Sequence, residues 1–129
     1  MGYLMIREVI VSRLPRRSEE YGGVDPQEAA TLLSSDAVFL DVREPSEWLA
    51  GHVAGALHVP LGELNGRLDA VPRDRRVVVV CRSGSRSARA TSLLVDSGFT
   101  AVNLEGGLRA WASAGLPVDT DDGRRGTVT

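Results

Sequence analysis

Val77-Val78-Val79-Val80 is an unbroken run of β-branched apolar residues. No polar position interrupts it, so a strand there must be covered on both faces, as inside a parallel sheet. Ala37 to Val42, Ala56 to Val59 and Ala101 to Leu104 are further short apolar runs that predict strands. Helical signals lie between them. Asp25-Pro26-Gln27-Glu28 reads as an N-cap with proline at the first helical position, opening a helix through about Leu33. Pro45 to Ala50 predicts a brief helix stopped by Gly51, and Leu61 to Leu68 carries helical spacing. Ala88 to Val95 predicts a helix ending at Ser97-Gly98, and Gly106-Gly107 starts a last one through Trp111. Strands alternating with helices predict an α/β domain whose central, mostly parallel sheet is flanked by helices on both faces.

The pattern is sharp only over residues 23–118, which are expected to form the domain. Residues 1–22 read as an N-terminal extension of unclear structure, with an extra strand at Met5 to Val11 and a polar linker at Pro15 to Glu20. Residues 119–129 are polar, contain glycine and lack periodicity, which predicts a mobile tail.

Composition narrows the chemistry. The 129 residues suit one domain, and a net charge of −2 leaves no global footprint for nucleic acid. All 15 basic residues are arginine, so lysine Schiff bases and P-loop phosphate binding are excluded. One cysteine with His52 and His58 cannot make a closed zinc site, so no metal and no cofactor are expected. No segment reaches the ~18 apolar residues of a membrane span, and the N-terminus lacks a signal pattern. A reactive thiol in such a chain is expected to work in the reducing cytoplasm.

Cys81 stands where the valine run meets Arg82-Ser83-Gly84-Ser85-Arg86-Ser87 at the opening of a helix. Backbone N–H groups of a tight glycine-containing loop converge on an anion, and a helix N-terminus adds its positive dipole end. A thiol there ionises easily, and the thiolate is the reactive form. A buried structural cysteine would need no such loop of small residues and arginines after it. Arg73, Arg75, Arg76, Arg82, Arg86 and Arg89 read as a basic cluster around the cysteine that favours a small anionic substrate.

Four motifs in order resemble the single-domain rhodanese-like sulfurtransferases over roughly Gly23 to Val118. They are Asp41-Val42-Arg43-Glu44-Pro45-Ser46-Glu47-Trp48, Gly51 to Pro60, Cys81 to Ser87, and Glu105-Gly106-Gly107 with Trp111. The resemblance implies that Cys81 takes sulfane sulfur from a donor such as thiosulfate, forms a persulfide, and passes the sulfur to cyanide, a thiol or a sulfur-relay protein. Phosphatases with a related fold place five residues between cysteine and arginine, whereas four separate Cys81 from Arg86. The shorter loop suits a sulfur atom better than a phosphate or arsenate. A non-enzymatic binding module on the same fold is the other alternative.

Within this frame Arg82 is expected to project outward onto substrate, and Arg86 to brace the loop by a bidentate pair with Glu47 or Asp41. Asp41 is expected either to orient the loop or contact the persulfide, as the resemblance implies, or to cap the Pro45 helix as a turn residue. Arg43 is expected in a surface ion pair with Glu47 or Glu44. His52 and His58 read as turn and packing residues, Gly84 as a position of φ > 0, and Trp48 and Trp111 as core.

Overall fold

The computed structural model describes residues 23–129. The expected strand at Met5 to Val11 and the linker after it lie outside the described residues. Five parallel strands form one sheet: β1 (Gly23–Val24), β2 (Val38–Asp41), β3 (Leu57–His58), β4 (Val77–Val80) and β5 (Ala101–Leu104), in the order β1-β5-β4-β2-β3. The helices are α1 (Pro26–Ser35), α2 (Pro45–Ala50), α3 (Leu61–Leu64), α4 (Ser85–Asp96) and α5 (Gly107–Ser113).

The valine run is β4, at the centre of the sheet, with all four residues fully buried. Strand periodicity splits its side chains between two apolar clusters. Val77 and Val79 pack with Leu40, Val42, Leu64, Ala90 and Leu94, beneath α3 and α4. Val78 and Val80 pack with Phe39, Ala29, Leu108 and Trp111, beneath α1 and α5. Helices therefore cover both faces, and that double burial is why no polar residue interrupts the run.

Local signals set the helix starts. Asp25 Oδ1 accepts from the Glu28 N–H at 2.8 Å while Glu28 Oε1 accepts from the Asp25 N–H at 2.9 Å, a reciprocal cap at the head of α1. The expected helix Leu61 to Leu68 is shorter: α3 stops at Leu64 and a 3-10 turn follows at Leu68–Ala70. Gly62 and Gly66 weaken a helix whose only fully buried anchor is Leu64.

Because every strand runs the same way, the carboxyl ends of β2, β4 and β5 meet at one end of the sheet. Asp41, Cys81 and Gly106 are thereby brought together, in the place where open α/β sheets bind ligands. The same geometry divides the expected arginine cluster. Arg73, Arg75 and Arg76 precede β4, about 16 Å of strand from Cys81. There Arg73 donates to the Ser97 carbonyl and lies over the Phe99 ring, and Arg75 donates to the Asp36 carbonyl. Arg82 and Arg86 stay at the cysteine end.

The segment 119–129, expected as a mobile tail, folds back onto the domain. His52 and Asp119 exchange backbone hydrogen bonds at 2.9 and 2.8 Å, and the Thr127 N–H donates to the Ala50 carbonyl at 2.9 Å. Composition could not show these bonds because they are made by backbone groups.

Candidate active site

Cys81 follows the central strand, and its sulfur sits inside the loop that opens α4. The Gly84 N–H donates to Sγ at 3.1 Å, the Ser87 N–H at 3.4 Å and the Ser87 hydroxyl at 3.3 Å. Burial pushes the thiol up, but the Ser87 hydroxyl and the amides of Ser87, Gly84 and Ser83 outweigh it, and the net shift is downward. The residue is 1% exposed, so solvent does little to quench those donors.

The loop takes this shape because two glycines permit it. Gly84, the residue before α4, has φ +107, a left-handed conformation that side-chain-bearing residues rarely adopt. Gly107, at φ +64, comes so close to the loop that a Cβ there would drive into the Arg82 carbonyl. That approach lets the Leu108 and Arg109 N–H groups at the head of α5 donate to the carbonyls of Cys81 and Arg82 at 2.8 and 3.0 Å. The orphan donors of one helix thus hold the loop that opens another. Asn103 on β5 adds a bond from Nδ2 to the Gly84 carbonyl at 3.2 Å. The sequence motif marked Gly106-Gly107, but its contact with the loop and the part played by Asn103 were not legible from it.

Among the described residues, Arg86 makes its side-chain hydrogen bonds to Glu47 and not to the sulfur. The pair with Glu47 of α2 is bidentate, at 2.8 and 2.9 Å, and joins α2 to the loop. The Arg86 bond, opposed by partial burial and helped by the Glu44 amide, brings Glu47 down to about 2. Arg82 is exposed, and its Nε donates to the Thr129 backbone oxygen at 2.6 Å. Ser83 and Ser85 are exposed at the loop's outer rim.

Asp41 and Arg43 differ from expectation. Both are fully buried and paired with each other, Nη2 to Oδ2 at 2.7 Å and Nε to Oδ1 at 2.9 Å. Arg43 also donates to the carbonyls of Glu47 and Gly51 at 3.2 and 2.8 Å. The pair is therefore an internal tie between β2 and the C-terminal end of α2. Asp41 neither caps α2 nor touches the cysteine loop through any hydrogen bond among the described residues. Charge spacing alone suggested a surface pair with Glu47 or Glu44 because a linear pattern does not show which elements close over the side chain.

Trp48 is not in the core. Its ring lies between two histidines, 3.5 Å from His52 and 4.6 Å from His58, with the planes nearly parallel. His58 Nε2 bonds the Arg43 carbonyl at 2.8 Å and His52 Nδ1 the Trp48 carbonyl at 2.7 Å, so both histidines are packing residues. Trp111 is core, edge-on to Phe39 at 5.2 Å. Among the described residues no cluster of His, Cys, Asp and Glu suits a metal, and no helix is long and apolar enough to cross a membrane.

A parallel α/β domain that holds one buried cysteine in a strand-to-helix loop of amide donors defines a class of cysteine-loop domains. The family model of the rhodanese-like domain matches residues 25–114, and the chain belongs to that family. It is similar to a sulfurtransferase of Allochromatium vinosum, 40% identical over 91 residues, which are 70% of this chain and 85% of the relative. The thiosulfate sulfurtransferase GlpE of Pseudomonas fluorescens is 32% identical over 105 residues, 81% of this chain and 95% of that protein. Among solved structures, a rhodanese-related protein of Thermoplasma volcanium superposes with a TM-score of 0.71 at 32% identity, covering 74% of this chain and 95% of that one.

Proposed function

We propose that the chain is a sulfurtransferase that carries sulfane sulfur as a persulfide on Cys81, with thiosulfate as a donor. The carrying observation is the set of donors on Sγ from Gly84 and Ser87, which stabilise a negative sulfur in a buried site. The Cys81 thiolate attacks the outer sulfur of thiosulfate, the sulfur–sulfur bond of the donor breaks, and its electron pair leaves with sulfite. The product is an anionic persulfide. Cyanide or a thiolate then attacks the terminal sulfur, and the Cys81 thiolate departs, so the enzyme ends the cycle unchanged. Each step moves negative charge between two sulfurs, and the loop donors act on both. Ser83, Gly84 and Ser87 supply the cradle, Arg82 is the cation placed to meet the donor, and Arg86 with Glu47 fixes the loop. A thiol without a cysteine partner in the chain suits a reducing compartment such as the cytoplasm.

Intact mass after incubation with thiosulfate tests this reading. One added sulfur atom, removed by cyanide and absent from Cys81→Ser, is the expected result. An unchanged mass with thiosulfate and with low-molecular-weight persulfides would leave a binding module. Hydrolysis of aryl phosphates lost in Cys81→Ser would instead assign a phosphatase.

A further inference from the structure

The segment after Val118 has no part in this chemistry, yet it is built into the domain. Gly126 packs against Gly51 so closely that a Cβ on it would meet Gly51 Cα at 2.6 Å and the Ala50 oxygen at 2.7 Å. The Gly126 N–H donates to the Val118 carbonyl at 2.8 Å, and the Thr127 N–H to that of Ala50 at 2.9 Å. Val128 packs against the apolar cluster beneath α1 and α5. Asp121 Oδ1 lies 3.1 Å from His52 Nε2. Beyond these anchors the backbone reaches the cysteine loop, where the Thr129 backbone oxygen accepts from the Arg82 Nε–H. The segment therefore spans two walls of the site: the end of α2, which carries Glu47, and the residue directly after the nucleophile.

An anionic sulfur donor and the Thr129 backbone oxygen want the same guanidinium. We propose that residues 119–129 form a strap that determines donor specificity by holding Arg82, and that Gly126 is the residue that seats it. The proposal rests on Cys81 being the reactive thiolate. With the strap seated, a negatively charged donor meets an Arg82 whose Nε–H is engaged and whose orientation is set by the strap, whereas an uncharged reagent is indifferent. The strap thus weights the site toward donors of low charge, such as an alkyl persulfide, over dianionic thiosulfate.

Gly126→Val cannot pack on Gly51 and so lifts the strap. Cys81 alkylation rates are compared with iodoacetate and iodoacetamide, which differ in charge but attack the same sulfur. The iodoacetate-to-iodoacetamide ratio is expected to rise about three- to tenfold in Gly126→Val, the scale of one freed cation beside the site. The thiosulfate KM should fall by a similar factor, with kcat within about twofold of wild type. In an Arg82→Ala background Gly126→Val should change neither. A ratio unmoved in Gly126→Val, or one that rises equally without Arg82, overturns the strap. Thr127→Pro, which deletes the donor to Ala50, gives the same reading should the valine variant fail to fold. Alkylation needs no sulfur transfer, so the two proposals fail separately. A chain that accepts no sulfur but shows the rise loses the transfer reading alone, and normal persulfide formation with an unmoved ratio loses the strap alone.

Discussion

The Cys81 sulfur is both buried and stabilised as an anion, and the contest between those two effects sets its reactivity. Burial alone would hold the proton on; the donors from Ser87, Gly84 and Ser83 win. Alkylation of Cys81 is therefore expected to titrate below the ordinary thiol value of about 8.5. Ser87→Ala removes the hydroxyl donor and should move the midpoint up, with the rate at neutral pH falling accordingly. A pH-rate profile with iodoacetamide reads both, and a midpoint in Ser87→Ala equal to that of wild type would remove the hydroxyl from the account. The two arginines of the loop divide their roles. Arg82→Ala should raise the thiosulfate KM with little loss of stability. Arg86→Ala should also cost about 1–2 kcal/mol in denaturant unfolding, because a half-buried bidentate pair is lost.

Two elements outside the loop hold it in shape. Through Glu47, α2 makes the site sensitive to acid, and the sign follows from the direction of the shift. Glu47 is held at about 2 in the folded chain, below its ordinary 4.5. Its contribution is complete above about 4.5 and is lost as pH falls toward about 2. The stability gap between wild type and Glu47→Gln, measured by urea unfolding, should be full at pH 7 and narrow through that window. A gap that stays constant down to pH 2 would show that the pair contributes nothing. The head of α5 holds the loop from the other side through Gly107. Gly107→Ala would meet both a positive φ and the Arg82 carbonyl, costing about 1–3 kcal/mol and reducing kcat as the loop shifts. Most elements were legible because their signals are local: the unbroken valines of β4, the Asp25 cap, and the proline and glycine that bound α2. The break after Leu64 was not, since apolar spacing continues through Leu68 while the glycines decide the backbone. The loop motif named the cysteine and its neighbours. Asn103 and the α5 amides escaped notice because they reach the loop across the sheet.

At the scale of the whole molecule, the least legible feature is the one that joins the parts. Sequence spacing placed Arg43 near acidic residues on the surface, but its side chain turns back into the protein to meet Asp41, two residues earlier. Its remaining donors satisfy the Glu47 and Gly51 carbonyls at the C-terminal end of α2. Nothing in a linear pattern distinguishes such an arginine from an exposed one, because burial is decided by which elements close over it. Gly51 is also where the strap packs, so one guanidinium links β2, α2 and, through Gly51, the C-terminal segment. Two charges at 0% exposure survive only because each satisfies the other and the spare donors find carbonyls. Arg43→Met leaves the Asp41 carboxylate buried without its cation. The expected loss is about 3–5 kcal/mol, a large share of a domain's stability. Asp41→Asn leaves the guanidinium short of a counter-charge and should cost a comparable amount. Combined, Asp41→Asn with Arg43→Met removes both charges, and the double variant should be less destabilised than the sum of the singles by at least about 1 kcal/mol. Chemical denaturation of the four proteins measures that coupling. Additive losses would mean that the pair acts as two independent residues, and the tie between β2 and α2 would have to be sought elsewhere.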